Sequence, residues 1–332
     1  MAETTVSASG SAGPAGSART EERTGGVASG PPEVARGVAV GYDGSPSAAP
    51  ALTWAAAEAE RRGTVLTVLH AMDGFGASAG MCAAAPELPA EAGVLARQVA
   101  RAGVARARSG GHEVPVRAVT RLCDAATALV EASRTADLVV VGNRGRGALA
   151  GALLGSVAFT VSAQAHCPVV VVRGDGLRRP DPDHPVVVGV DGSPGAAAAL
   201  RFAARLADRS GAVLRVVSAW TPPEALATSV AYGAALDAGL ADESRRCAER
   251  DAAEAVARVR EELPDLVVDQ RVAQEPARLA LARGSEAAGL VVVGARGHGC
   301  VAGLFLGSVS HGVIHAARCP VAVVRAPRVE PG

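Results

Sequence analysis

The chain carries Val38-Ala-Val-Gly-Tyr-Asp-Gly-Ser-Pro46 in its first half and Val186-Val-Val-Gly-Val-Asp-Gly-Ser-Pro194 in its second. Each copy is a short apolar run that ends in an Asp-Gly-Ser turn and leads into an alanine-rich stretch, which is typical of a buried strand followed by a helix. Later in each half a second motif appears, as Leu138-Val-Val-Val-Gly-Asn-Arg-Gly145 and as Leu290-Val-Val-Val-Gly-Ala-Arg-Gly297. Two motifs repeated in the same order predict a duplicated domain rather than a short-period repeat.

Both halves alternate β-branched apolar runs with longer alanine-rich stretches, the pattern of a parallel sheet covered by helices on both faces. The expected strands of the first half are 38–42, 65–70, 114–120, 138–141 and 169–172. Those of the second half are 186–190, 213–218, 267–272, 290–293 and 321–324. Strands and helices that alternate in this way predict an α/β protein of two tandem Rossmann-like, doubly wound domains.

Composition indicates where these domains begin and end. Residues 1–36 are rich in Ser, Gly, Ala, Thr and Pro, so they cannot bury enough apolar surface to offset their conformational entropy, and we expect a disordered tail. We expect the first domain at 37–177, a proline-containing linker at 178–184 and the second domain at 185–326. Residues 327–332 are expected to form a short C-terminal tail.

The charge composition argues against several classes of partner. The 332 residues include 33 basic and 33 acidic side chains, so no net field attracts nucleic acid or an anionic membrane. Every basic side chain is Arg, which excludes a P-loop because that motif needs its Lys. No apolar run approaches the roughly 20 residues of a membrane helix, and no signal peptide is recognisable. We therefore expect a cytoplasmic protein that binds neither nucleic acid nor membrane.

The turn after the first strand of each half ends in residues suited to helix capping and to ligand binding. Ser45 and Ser193 are each followed by Pro, and this pair is expected at the N-cap and the first position of a helix. The preceding Asp43 and Asp191 lie where open α/β sheets bind their ligands, so each carboxylate is placed to accept hydrogen bonds from ribose hydroxyls. A structural alternative is that each carboxylate only accepts hydrogen bonds within its own turn.

A glycine-rich loop follows the fourth strand of each half. Its pattern is Gly142-x2-Gly145-x9-Gly155-Ser156 in the first half, and the second half has the same spacing from Gly294 to Ser308. Glycines allow the backbone to approach a ligand closely, and the free N–H groups of the helix that starts at the last Gly-Ser pair can bind a phosphate without a Lys. The alternative is that these glycines serve only turns and a helix start.

With these motifs and the Cys-Pro-Val segments that begin at Cys167 and Cys319, the chain resembles the universal stress protein family in its tandem two-domain form, over nearly all of 37–326. The resemblance implies the strand order 3-2-1-4-5, ATP bound in each half together with Mg²⁺, and fifth strands that pair between the two domains. It also implies a homodimer and a regulatory protein partner of unknown identity. The nucleotide-binding residues that it implies are Asp43, Ala71, Gly142, Gly145, Gly155, Ser156 and Val157 in the first half, and Asp191, Ala219, Gly294, Gly297, Gly307, Ser308 and Val309 in the second.

The two halves differ at some of these places. The first half has Ala158 where the second has Ser310, so one hydroxyl near the triphosphate is expected in the second half alone. The loop arginines Arg144, Arg146 and Arg296 could reach phosphates or could remain solvated. The affinities of the two sites are therefore expected to differ.

No catalytic residue is recognisable. The Ser of the glycine loop lacks the following glycine of a nucleophile elbow, and no acid or base is identifiable beside the γ-phosphate position. The six cysteines contain no C-x-x-C pair and are expected to be buried thiols, while His311 and His315 have no counterpart in the first half, so we expect no metal site. We expect a nucleotide-dependent regulatory module in a stress response rather than an enzyme. The alternative is a slow ATPase or nucleotidyl transferase.

Overall fold

The computed structural model describes residues 36–72, 90–145, 154–173, 178–222, 233–298 and 306–326. Both expected tails therefore lie outside the described residues, except for Arg36. The strands are β1 (Gly37–Gly41), β2 (Val65–Met72), β3 (Val116–Leu122), β4 (Leu138–Gly142), β5 (Val169–Val172), β6 (Val186–Gly189), β7 (Leu214–Trp220), β8 (Val268–Gln274), β9 (Leu290–Gly294) and β10 (Val321–Val324). The helices are α1 (Ala48–Arg61), α2 (Ala90–Ser109), α3 (Ala125–Ala132), α4 (Ser156–Gln164), α5 (Pro194–Ser210), α6 (Gly233–Glu262), α7 (Ala277–Gly284) and α8 (Ser308–Ala316).

All of these strands belong to one sheet, in the order β3-β2-β1-β4-β5-β10-β9-β6-β7-β8. Within each half every pairing is parallel and the order is 3-2-1-4-5, which confirms the α/β fold and the strand order that the resemblance implied. The second and third strands of each half run two residues farther than expected. In each half these two strands remain paired over the added residues, with Met72 opposite Leu122 in the first half and Trp220 opposite Gln274 in the second.

The two halves meet through their fifth strands. Strand β5 pairs antiparallel with β10, with Val170 opposite Ala322 at the centre of the pairing. These strands are buried along their whole length and consist of Val and Ala, so they fit a sheet that is covered on both faces. The pairing between the domains, expected from the resemblance, is therefore present within one chain.

Each face of the sheet is covered by helices from both halves. Strand residues alternate between the faces, so Val186 and Val188 belong to the buried cluster that includes residues of α1, α2, α5 and α6, whereas Val187 belongs to the cluster that includes residues of α3, α4, α7 and α8. The helix residues in these layers are mostly Ala and Leu, and their small size brings the helices close to the sheet. The second of these faces is the one on which the candidate site lies.

A buried carboxylate joins the halves on the opposite face. The side chain of Glu58 on α1 is 1% exposed and accepts a hydrogen bond from Arg62 Nε at 2.6 Å. Arg209 on α5 of the second half lies 3.9 Å from the same carboxylate, and Arg61 pairs with its other oxygen. The linker adds a further contact, because Arg179 donates to the backbone oxygen of Thr53 at 3.2 Å. Charged groups thus stabilise the contact between α1, α5 and the linker.

The described cysteines differ in their surroundings. Burial raises the pKa of the Cys319 thiol to about 12 and has the same effect on Cys167. Cys247 is a half-buried free thiol on α6. Cys123 is disulfide-bonded, so the expectation of thiols throughout is wrong at this position; burial in the core does not by itself keep a cysteine reduced.

Alkylation is expected to separate these free thiols. Near pH 8 a thiol with a pKa of about 12 is only about one part in ten thousand thiolate, and thiolate is the reacting form. Iodoacetamide should therefore modify Cys247 well before Cys167 or Cys319, as measured by peptide mass spectrometry over time. Equal rates at Cys247 and Cys319 in the folded protein would contradict this assignment.

Candidate functional site

A cavity of about 460 Å³ opens in the second half at the carboxyl ends of β6, β7 and β9, next to the start of α8. This is where open α/β sheets bind ligands. Its size lies within the usual range of small-molecule sites. The expected residues of this half all line it, namely Asp191, Ala219, Gly294, Gly297, Gly307, Ser308 and Val309.

Asp191 follows β6 in a tight turn and presents a carboxylate to the cavity. One oxygen, Oδ1, accepts a hydrogen bond from the Ser193 backbone N–H at 3.0 Å, as the structural alternative proposed. The other oxygen, Oδ2, faces Gly297, because a Cβ atom at that position would clash with it. Ser193 in turn caps α5 by accepting from the Ala196 N–H at 3.1 Å, with Pro194 at the first helical position, as expected. The carboxylate thus fixes the turn and still presents an oxygen to the cavity.

The loop after β9 requires small residues because two backbone segments touch there. A Cβ atom on Gly294 would lie 2.7 Å from the backbone carbon of Gly195, and one on Gly195 would clash with the carbonyl oxygen of Arg296. The chain between β6 and α5 therefore lies directly against the loop after β9. This contact places Asp191 beside Gly297 and gives the cavity one wall of backbone atoms.

The start of α8 also lines the cavity. Gly307 donates its N–H to the carbonyl oxygen of Ala295 at 2.8 Å, which ties the returning loop to the end of β9. Gly307 is the N-cap of α8 and supplies no side-chain capping bond. The first-turn N–H groups, which begin at Ser308, are consequently available to a ligand, and the helix dipole favours an anion there.

Ser310 lies near these N–H groups, but its hydroxyl already donates to backbone carbonyl oxygens of the protein. The side chain is buried, and its Oγ lies 2.9 Å from the carbonyl oxygen of Gly307 and 3.2 Å from that of Ala295. These carbonyl oxygens are its acceptors, so the hydroxyl fastens the loop to the helix. The first half, which has Ala158 at this position, therefore lacks a hydroxyl that anchors the loop, rather than one that is free to contact a ligand.

The far end of the cavity is apolar. Ala219 stands near the end of β7, and the surrounding side chains come from Val217, Val293 and Leu281. Sequence analysis did not identify Leu281, which belongs to α7 and packs against Gly189. The apolar spacing of α7 indicates that one face of this helix is buried, but it does not indicate that Leu281 lines a cavity. Apolar side chains thus line one part of the cavity, and the Asp191 carboxylate and the start of α8 line another.

The first half repeats the contacts between the Asp turn and the glycine loop. Asp43 Oδ1 accepts from the Ser45 N–H at 2.9 Å, and a Cβ atom on Gly145 would lie 3.1 Å from Asp43 Oδ2. Gly155 donates to the carbonyl oxygen of Asn143 at 2.8 Å. Ser156 and Val157 begin α4, and Ala71 lies near the end of β2.

The start of α1 differs from the prediction. Ser45 Oγ accepts from the Ala48 N–H at 3.2 Å, as a cap would, but the helix begins at Ala48 with Ser47 as its N-cap rather than at Pro46. The Ser47 hydroxyl donates to the carbonyl oxygen of Arg144 at 2.9 Å, and this bond holds the turn against the loop. The second half has Gly195 at the equivalent position, and its helix α5 starts at Pro194 with Ser193 as the N-cap.

Arg121 is a further difference between the halves that sequence analysis missed. It stands opposite Ala71 in the register of β2 and β3, where the second half pairs Ala219 with Ala273. The side chain is buried, and burial lowers the pKa of its guanidinium. Among the loop arginines, Arg144 and Arg296 are exposed, and Arg146 lies outside the described residues. The first half therefore has a buried cation beside the position of Ala71 that the second half lacks.

Within the described ranges, no group of three or more His, Cys, Asp or Glu side chains is placed to hold a metal ion. Among the same residues, no helix is long and apolar enough to cross a membrane.

The chain is similar in sequence and in fold to known proteins. The model of the universal stress protein family matches residues 35–173 and again 184–325. A universal stress protein of Mycobacterium tuberculosis is 37% identical over 304 residues, covering 89% of this chain and 98% of the relative. One of Mycolicibacterium smegmatis is 35% identical over 299 residues, covering 87% and 97%. A crystal structure of a universal stress protein from Archaeoglobus fulgidus shares the fold, with a TM-score of 0.61 at 20% identity, over 87% of this chain and 98% of that one.

Proposed function

Because the chain belongs to the universal stress protein family, we propose that it binds ATP in each half and acts as a nucleotide-dependent regulatory module in a stress response. One observation carries the proposal. A single cavity of about 460 Å³ combines the Asp191 carboxylate, a backbone wall of glycines, an uncapped helix start and an apolar end. These are the groups that ribose, phosphates and a nucleobase require.

Each part of the nucleotide has a matching part of the cavity. We place the phosphates at the first-turn N–H groups of α8 and against the backbone between Gly294 and Gly297. The ribose hydroxyls donate to Asp191 Oδ2, and adenine lies at the apolar end, where the backbone of Ala219 supplies hydrogen bonds.

Mg²⁺ accompanies the phosphates in this proposal. Asp191 is the only carboxylate in the described lining of the cavity, and one of its oxygens is already engaged in the turn. This donor set fits an ion carried mainly by phosphate oxygens and water, as Mg²⁺ commonly is. The ion would neutralise phosphate charge, which the chain does not do with Lys.

A regulatory role fits the lining better than catalysis. Hydrolysis needs a group that positions water at the γ-phosphate. The only imidazole in the described lining belongs to His298, which is exposed to solvent, so we assign no catalytic residue. A slow ATPase or nucleotidyl transferase is the second candidate, and the exposed His298 at the phosphate end is the residue that it would need.

For assembly, we propose a homodimer of two-domain chains and a protein partner that reads the nucleotide state. The edge strand β8 supports further association, because Val272 on it and Val267 just before it are exposed. Adenine nucleotides are abundant in the cytoplasm, and we place the protein there.

Calorimetric titration with ATP, ADP and AMP, each with Mg²⁺, tests the nucleotide and its class. We expect ATP to bind more tightly than AMP, because the helix start and glycine backbone contact the outer phosphates. A parallel phosphate-release assay with His298→Ala separates the two candidate functions. Release that matches the buffer control supports the module, whereas turnover that His298→Ala abolishes would establish the enzyme.

A further inference from the structure

Two histidines converge on the surface of α8. The Nε2 atoms of His311 and His315 lie 3.2 Å apart, whereas their ring centroids are 4.5 Å apart. The nitrogens are therefore the closest parts of the two rings. His311 is exposed and His315 is half-buried, so both nitrogens are accessible to a small ion.

We propose that His311 and His315 are two ligands of a site for one divalent transition-metal ion that favours imidazole, such as Zn²⁺, Ni²⁺ or Cu²⁺. Residues four apart lie on one face of a helix, so the two rings can contact one ion. An ion about 2.1 Å from both nitrogens would form an N–metal–N angle of roughly 100° at the observed separation. This angle lies between those of octahedral and tetrahedral coordination.

The surroundings hold one of the rings in position. The ring of Phe159 on α4 meets His311 edge to face, with centroids 5.9 Å apart. Phe159 occupies in α4 the position that His311 occupies in α8, and Ala163 is the counterpart of His315. The site therefore exists in the second half alone, where the two halves meet.

The nearby charges limit the affinity but leave the nitrogens able to coordinate. Arg173 donates to the carbonyl oxygen of Ile314, and its cation opposes a second positive charge. Neither ring is fully buried, so the nitrogens remain accessible to a small ion. Since the described residues offer no third ligand, water completes the coordination and the site is open.

Titration of the full chain with NiCl₂ or ZnCl₂, without nucleotide and with any polyhistidine tag removed, tests this site. We expect one ion per chain. His311→Ala and His315→Ala should each weaken metal binding about tenfold or more. The ion is then held by one imidazole and loses the second ligand that the same helix keeps close to it. Arg173→Gln should tighten binding. His184→Ala, which alters a half-buried histidine far along the chain, is the matched control and should change nothing.

Weaker metal binding by the His→Ala variants is not expected to result from misfolding. Both histidines lie at the surface, so the unfolding midpoint without metal should stay at the wild-type value. Electron paramagnetic resonance of the Cu²⁺ form should show hyperfine coupling to two imidazole nitrogens. Metal affinity that is unchanged in both His→Ala variants, or no binding by the wild type, would overturn the proposal and leave the pair as a hydrogen bond between two imidazoles.

Discussion

Gly297→Ala is expected to weaken ATP binding in the second half by about 10- to 150-fold. The added Cβ atom would meet the Asp191 carboxylate, so Oδ2 must turn away from the place where ribose would lie. Hydrogen bonds to a charged group are worth about 1.5–3 kcal/mol, which corresponds to that loss of affinity. Calorimetric titration of the variant with ATP and Mg²⁺ measures it.

Two further variants make this prediction specific. Gly239→Ala adds the same methyl group in α6, where nothing lies within 4 Å, and should leave ATP affinity unchanged. Gly145→Ala in the first half should have a smaller effect than Gly297→Ala, because its Cβ atom would lie 3.1 Å from Asp43 Oδ2 and the carboxylate needs to move less. Wild-type affinity for Gly297→Ala would show that Asp191 does not contact the nucleotide.

Glu58→Ala is expected to lower the free energy of unfolding by about 3–5 kcal/mol. The glutamate side chain is 1% exposed, and removing it leaves Arg62 and Arg209 without their carboxylate at the contact between the halves. Most of the cost falls on Arg62, whose side chain is 16% exposed, because the protein interior cannot replace the water that a buried charge loses. Urea denaturation followed by circular dichroism measures the change.

A surface ion pair supplies the control for this variant. Arg134 and Glu131 form a pair at 3.1 Å with 56% and 36% of their side chains exposed. Glu131→Ala should therefore cost less than about 1 kcal/mol. If both variants lose the same small amount, Glu58 does not hold α1 and α5 together.

The fold was predictable from the sequence because its main signals are local and repeated. The apolar runs that end in Asp43 and Asp191 show where strands stop, and the glycine loops show where helices begin. Position within an open α/β sheet then brings the carboxylate and the loop to one crevice. The strand order came from the family resemblance, since a parallel sheet can be connected in several ways that have the same local pattern.

Features that depend on contacts between distant elements were not predictable. The sequence around Glu58 looks like an exposed helix end, but the side chain is 1% exposed and lies 3.9 Å from Arg209 on α5 of the other half. Arg121 looks like a polar residue of an ordinary strand, and only the register with β2 places it beside Ala71. The start of α1 was misplaced for the same reason, because Ser47 bonds to Arg144, which is far along the chain.

Equilibrium dialysis of labelled ATP with Mg²⁺ against the full chain tests the central claim most directly, by counting bound nucleotides. We expect two per chain in the wild type, one in Asp43→Ala or Asp191→Ala at an ATP concentration that just saturates the wild type, and none in the double variant. No bound ATP in the folded wild type, or equal binding by the double variant, would contradict the assignment of a nucleotide site to the Asp turn and glycine loop of each half.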